Sequence, residues 1–189
     1  MTPTTEGSRC AAEAAPARHR CLRVVIADDH PFYRAGLARM LERDQFRVVA
    51  EVPNGDATVR EVEQHRPDVV VMDLNMPGTS GLTTIRRLAQ QVPATPVIIL
   101  SVSADEQDVT DAILAGASGY LLKDRPHAEI LDGIRAAAAG QAPLSPRIAA
   151  MLIRRLQAVE PGDVEEVRRM VSRYVSRQWP QGARLPWRW

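Results

Sequence analysis

From Leu22 onward, short apolar runs alternate with longer amphipathic stretches. The runs cover 22–27, 48–52, 69–72, 97–100 and 120–122, and their unbroken Val and Ile content is that of strands buried on both faces. Between them, apolar residues recur at helical spacing: Leu37, Met40 and Leu41; Val59 and Val62; Leu82, Ile85 and Leu88; Ile113 and Leu114; Ile130, Leu131 and Ile134. Five strand-helix units within about 120 residues predict a parallel sheet with helices on both sides, because parallel crossovers need such helices. The fold class is therefore α/β, a doubly wound five-stranded sheet spanning residues 21–140.

After Gly140, a turn through Pro143 leads to Ser145 as N-cap and Pro146 as first helical residue, which predicts a linker helix within 141–160. Pro161, Gly162 and Asp163 break the chain, and Val164, Val167, Val171 and Val175 mark one more amphipathic helix, to about Gln178. Residues 1–20, rich in Thr, Ala, Pro and Arg, lack the apolar stretch of a secretory signal and are expected to be a disordered extension.

Composition narrows the class further. A chain of 189 residues that is 45% hydrophobic and 25% charged can bury a core without disulfides or metals, so global disorder is excluded. A net charge of +1 disfavours a strongly basic nucleic-acid binder. No apolar run approaches the roughly 18 to 20 residues of a membrane span, so no membrane association is expected. The two cysteines, Cys10 and Cys21, form neither a disulfide framework nor a metal-ligand spacing, and a cytoplasmic location is the expectation.

Open parallel sheets gather function beyond the carboxyl ends of their strands. Here those ends carry Asp28 and Asp29 after strand 1, Asp73 after strand 3, Ser101 after strand 4, and Tyr120 through Lys123 along strand 5. Two carboxylates at 4 Å repel by about 4 kcal/mol at an effective dielectric of 20, so something positive must sit among them. One candidate is Lys123, the chain's sole lysine. The other is a divalent cation, and carboxylate oxygens favour hard Mg²⁺. Asp73 can accept a phosphoryl group as an acyl phosphate, with Mg²⁺ and Lys123 neutralising charge and Ser101 donating to the incoming oxygens. Each residue also has a blander role. The acidic pair could cap a helix before Pro31, Tyr120 could be core, and Ser101 could cap the segment from Ala104, although Ser103 is better placed to do so. His30 is not assigned, since Mg²⁺ avoids imidazole.

The stretches VVIADDHPFYRAGL, PDVVVMDLNMPGTSGL, PVIILSVSADEQDV, AGASGYLLKD and LSPRIAAMLIRRL together resemble the receiver domain and linker of two-component response regulators of the NarL/FixJ (LuxR-type) subfamily. The resemblance implies a flavodoxin-like receiver of strand order 2-1-3-4-5 with a C-terminal helical extension. It implies phosphorylation of Asp73, Asp29 as a direct metal ligand and Asp28 acting through water, with the Asn75 backbone carbonyl completing the protein's share. It also implies Ser101 and Tyr120 as switch residues, a sensor histidine kinase as donor, and phosphorylation-dependent homodimerisation. Such a protein is a phosphoacceptor and not an enzyme.

Members of this family carry a helix-turn-helix output domain of about 65 residues after the linker. Twenty-nine residues follow Glu160 here, and only Glu165 to Arg173 resembles the first helix of that domain, so a shortened or altered output region at 161–189 is expected. A LuxR-type DNA-binding regulator is the alternative, with DNA contact by this chain doubtful. A Mg²⁺-dependent phosphohydrolase is disfavoured, because aspartate-nucleophile phosphatases place a second Asp where this chain has Asn75.

Overall fold

Alternation of side chains along each strand sends neighbouring valines to opposite faces of one sheet. The computed structural model describes residues 21–157, excluding the side chains of 155–157. Its elements are β1 (Arg23–Ala27), α1 (Pro31–Arg43), β2 (Arg47–Val52), α2 (Gly55–His65), β3 (Val69–Met72), α3 (Gly81–Gln91), β4 (Val97–Ser101), α4 (Glu106–Ala115), β5 (Gly119–Leu122), α5 (His127–Ala138) and α6 (Pro146–Gln157). All strand pairs are parallel and the order is β2-β1-β3-β4-β5, the doubly wound, flavodoxin-like arrangement expected. The expected N-terminal extension, the helix at 164–178 and the shortened or altered output region at 161–189 lie outside the described residues.

Two hydrophobic layers follow from the alternation. Val25, Ala27, Val70, Met72, Ile99 and Tyr120 face Val59, Val62, Ile85, Leu88 and Val109 from α2, α3 and α4. Val24, Ile26, Val71, Ile98, Leu100 and Leu121 face Leu37, Leu41, Ile130 and Ile134 from α1 and α5. At about 1.5–3 kcal/mol per fully buried aliphatic side chain, these two layers dominate the fold's stability.

Three local expectations need correction. The run at 48–52 is not buried on both faces: β2 is an edge strand, and Val48, Val49 and Ala50 are only half-buried. Leu114 is 46% exposed, because only Ile113 of that pair turns toward the core. The helix expected from Ala104 begins at Glu106, capped by Asp105, whose carboxylate accepts from the amides of Gln107 and Asp108. Ser103 instead accepts from the Asp105 amide and donates to Asp108. Asp105 wins because a carboxylate at the helix N-terminus meets both the free amides and the helix dipole.

At the end of the described residues, Ser145 and Pro146 start α6 as expected, with the Ile148 amide directed at Ser145 Oγ. Ile148 and Met151 enter the same layer as Tyr120.

Candidate functional site

Backbone hydrogen bonds carry the sheet one residue past the ends of three strands. The Asp28 amide donates to Val52 O at 3.0 Å, the Asp73 amide to Ala27 O at 2.8 Å, and the Lys123 amide to Ser101 O at 2.9 Å. The three side chains therefore start from rigid backbone and converge above β1 and β3.

Lys123 Nζ lies 2.6 Å from Asp28 Oδ2 and 2.5 Å from Asp73 Oδ2, with all three side chains under 10% exposed. Burial pulls the ammonium toward deprotonation, but its hydrogen bonds to Asp28 and Asp73 outweigh this and hold its pKa above the usual lysine value. The ring of Tyr33 roofs the ammonium, with Nζ 4.5 Å from the ring centroid. Burial raises the Tyr33 phenol; Lys123 opposes the rise, and Asp28 and Asp73 add to it.

Each carboxylate has a second partner. Asp28 Oδ1 accepts from the His30 amide at 2.8 Å, and Asp73 Oδ1 accepts from the Asn75 amide at 3.1 Å. Arg34 Nη1 donates to the Asp28 carbonyl, holding the turn from the first coil of α1. Asp29 Oδ1 differs: it is buried and accepts no hydrogen bond, although His30 Nδ1 stands 2.9 Å away. One oxygen or nitrogen from each of Asp28, Asp29, His30 and Asp73 lies within 4.8 Å of the others. Three carboxylates against one ammonium, with one buried oxygen unsatisfied, fit a hard divalent cation.

Beside this cluster, Ser101 is fully buried and its Oγ accepts from the Ser103 amide at 3.1 Å. Tyr120, also fully buried, donates its hydroxyl to Ser103 O at 2.9 Å. Burial raises its phenol pKa, partly countered by a hydrogen bond with Ser101.

The structure thus brings Asp28, Asp29, Asp73, Asn75 and Lys123 together, with Ser101 and Tyr120 linked through Ser103. It adds three residues to those expected. His30, left unassigned above, puts Nδ1 in the acidic cluster, while Tyr33 and Arg34 brace Lys123 and Asp28. Their first-turn positions on α1, just after Asp28 and Asp29, are the only sequence signal that could have found them.

A five-stranded parallel sheet in this order, with strand-end aspartates joined by a lysine, defines a receiver domain. Residues 24–135 match the family described as the response regulator receiver domain. The chain belongs to that family, as the receiver of a NarL/LuxR-type response regulator of a two-component system. It is 36% identical over 146 residues to the transcriptional regulatory protein DegU of Brevibacillus brevis, covering 77% of this chain and 62% of that protein. It is 34% identical over 151 residues to the nitrate/nitrite response regulator NarL of Escherichia coli K12, covering 79% and 70%. A LuxR-family two-component response regulator from Aurantimonas superposes with a TM-score of 0.67 at 35% identity, covering 71% of this chain and 97% of that one. The chain thus spans under two thirds of the DegU relative's length. Receiver domains bind Mg²⁺ at an acidic pocket, and this chain carries an acidic cluster at Asp28, Asp29, His30 and Asp73. No described helix is long and apolar enough to cross a membrane.

Proposed function

We propose that Asp73 is the phosphoacceptor of a phosphorelay, taking a phosphoryl group from the phosphohistidine of a sensor histidine kinase. The P–N bond of the donor breaks as a P–O bond forms to a carboxylate oxygen of Asp73, and the imidazole, already protonated on its other ring nitrogen, leaves as the neutral ring. The observation that carries this reading is the 2.5 Å contact between Lys123 and Asp73, inside a pocket where the buried Asp29 Oδ1 accepts no hydrogen bond.

Asp29 and Asp73 would hold Mg²⁺ directly, with the Asn75 carbonyl, and Asp28 through water. The ion supplies charge neutralisation at the transferring phosphoryl oxygens. Lys123 is positioned to follow one of those oxygens while staying paired to Asp28. Ser101 would turn its hydroxyl toward the phosphoryl group and Tyr120 would follow, changing the surface of α4, β5 and α5 and favouring a homodimer. The chain acts as a phosphoacceptor and not as an enzyme on a separate substrate. We assign 21–140 to the receiver and 141–160 to the linker, and we read the protein as cytoplasmic. Relatives named for transcriptional regulation favour gene control as the output of the family, with DNA contact by this chain doubtful.

Intact mass after incubation with acetyl phosphate and Mg²⁺, with size-exclusion chromatography, tests this. One added phosphate, requiring Mg²⁺ and lost in Asp73→Asn, is expected, together with earlier elution. Full labelling of Asp73→Asn would overturn the assignment.

A further inference from the structure

β5 ends the sheet, so its outer edge would expose backbone donors and acceptors. In this chain the edge is occupied. The Tyr120 amide donates to Pro143 O at 3.0 Å, and Tyr120 forms a parallel bridge with Leu144. Gly119 lets this crossing happen, since a β-carbon there would stand 2.6 Å from both Pro143 O and the proline ring. Beyond the bridge, α6 lies on α4. Ile148 is fully buried and Met151 nearly so, in one layer with Tyr120, Val109, Ala112 and Ala115. Ile153, on the opposite side of α6, is 54% exposed.

The same tyrosine holds both ends of a hydrogen-bonded path. Ser101 Oγ accepts from the Ser103 amide, Ser103 O accepts from the Tyr120 hydroxyl, and the Tyr120 amide reaches Pro143 O. Ser101 is therefore joined to the linker by direct hydrogen bonds through Ser103 and Tyr120.

We propose that residues 143–151 form a strap seated on the β5 edge and α4 face, which loosens when Asp73 is phosphorylated. This rests on the phosphoacceptor reading above. Turning the Ser101 hydroxyl toward a phosphoryl oxygen removes the acceptor of the Ser103 amide. The Ser103 carbonyl then moves with its loop, the tyrosine hydroxyl follows, and the amide contact to Pro143 is strained from the other end. A loosened strap uncovers the unpaired edge of β5 and the apolar face of α4, the surface a second copy of the chain would use. Linkage makes the effect reciprocal: a chain with its strap unseated binds a phosphoryl mimic more tightly.

Hydrogen exchange on the full chain tests this, with and without beryllofluoride and Mg²⁺, alongside intact mass of an acetyl-phosphate-treated sample. Protection of the Tyr120 amide and of residues 147–152 is expected without the mimic, falling by about tenfold or more with it. Unchanged or increased protection in a sample that takes up phosphate would overturn the coupling and leave the Asp73 reading standing. Absence of any adduct would overturn the Asp73 reading and the coupling with it. The seat itself is judged without phosphate: Gly119→Ala, or Ile148→Ser should the first fail to fold, should strip protection from residues 147–152 and tighten beryllofluoride binding about fivefold or more. Wild-type protection in the folded variants would overturn the strap.

Discussion

Gly81 lies directly against the carbonyl of Leu74: a β-carbon at position 81 would stand 3.0 Å from the Leu74 carbonyl carbon and closer still to its oxygen. Leu74 follows Asp73, so the first residue of α3 and the loop after Asp73 fit together only because position 81 has no side chain. Gly81→Ala should destabilise the chain by about 1–3 kcal/mol, the usual cost of overpacking a closed site, and slow labelling of Asp73. Urea midpoints and the initial labelling rate with acetyl phosphate check this.

Removing the ammonium leaves Asp28 and Asp73 buried and facing each other. Lys123→Ala should lose about 3–5 kcal/mol of stability in chelator, the typical cost of breaking a buried ion pair. Mg²⁺ should restore part of the loss, and labelling should persist with a weaker change in elution. Urea denaturation in chelator and in Mg²⁺ measures both terms, and equal midpoints in the two buffers would contradict the account.

The buried Asp29 oxygen, which accepts no hydrogen bond, predicts that the wild-type fold is stabilised by Mg²⁺. At a hundredfold excess over Kd, the gain is about 2.7 kcal/mol by mass action. Asp29→Ala should abolish that gain while shifting the metal-free midpoint little, as thermal scans over a Mg²⁺ series would show.

Tyr120→Phe keeps the buried ring and deletes the donor to Ser103 O. A loss of about 1 kcal/mol is expected, the net worth of one such bond. The hydrogen-exchange response of residues 147–152 to beryllofluoride should shrink in the same variant.

At the surface, Asp56 is held below the usual carboxylate range by the Thr79 hydroxyl first and the Arg87 guanidinium second. A depressed folded-state pKa adds stability that is complete above the unfolded value near 3.8 and fades as pH falls through the folded value. Asp56→Asn should therefore lower the urea midpoint at pH 7 and converge on wild type as pH falls below the depressed folded-state value.

Strand content was legible because Val24 to Ile26, Val69 to Met72 and Val97 to Leu100 are buried on both faces, and continuous apolar runs report that condition directly. β2 was legible as a strand but not as an edge, since Val48 and Val49 would read the same in either place. The acids and the lysine were legible because each directly follows or precedes an apolar run, where strand-end chemistry gathers. Tyr33 and Arg34 were not, because their roles depend on how α1 leans over Lys123 and Asp28, which no periodicity encodes. The pairing of Leu144 with Tyr120 was hidden for a similar reason: a single bridge beside Pro143 has no repeat to detect, and its sequence reads as a turn.

That Lys123 is the chain's sole lysine and is 8% exposed has a practical reach. Apart from the α-amino terminus, an acylating or reductively methylating reagent has one amine to find, and it lies beneath Tyr33 between two carboxylates. Its rate of modification is therefore a clock for the opening of the pocket, and a methyl group placed there is a single spectroscopic beacon. Any ion, phosphoryl group or partner that closes over Asp73 must slow that clock or move that one signal.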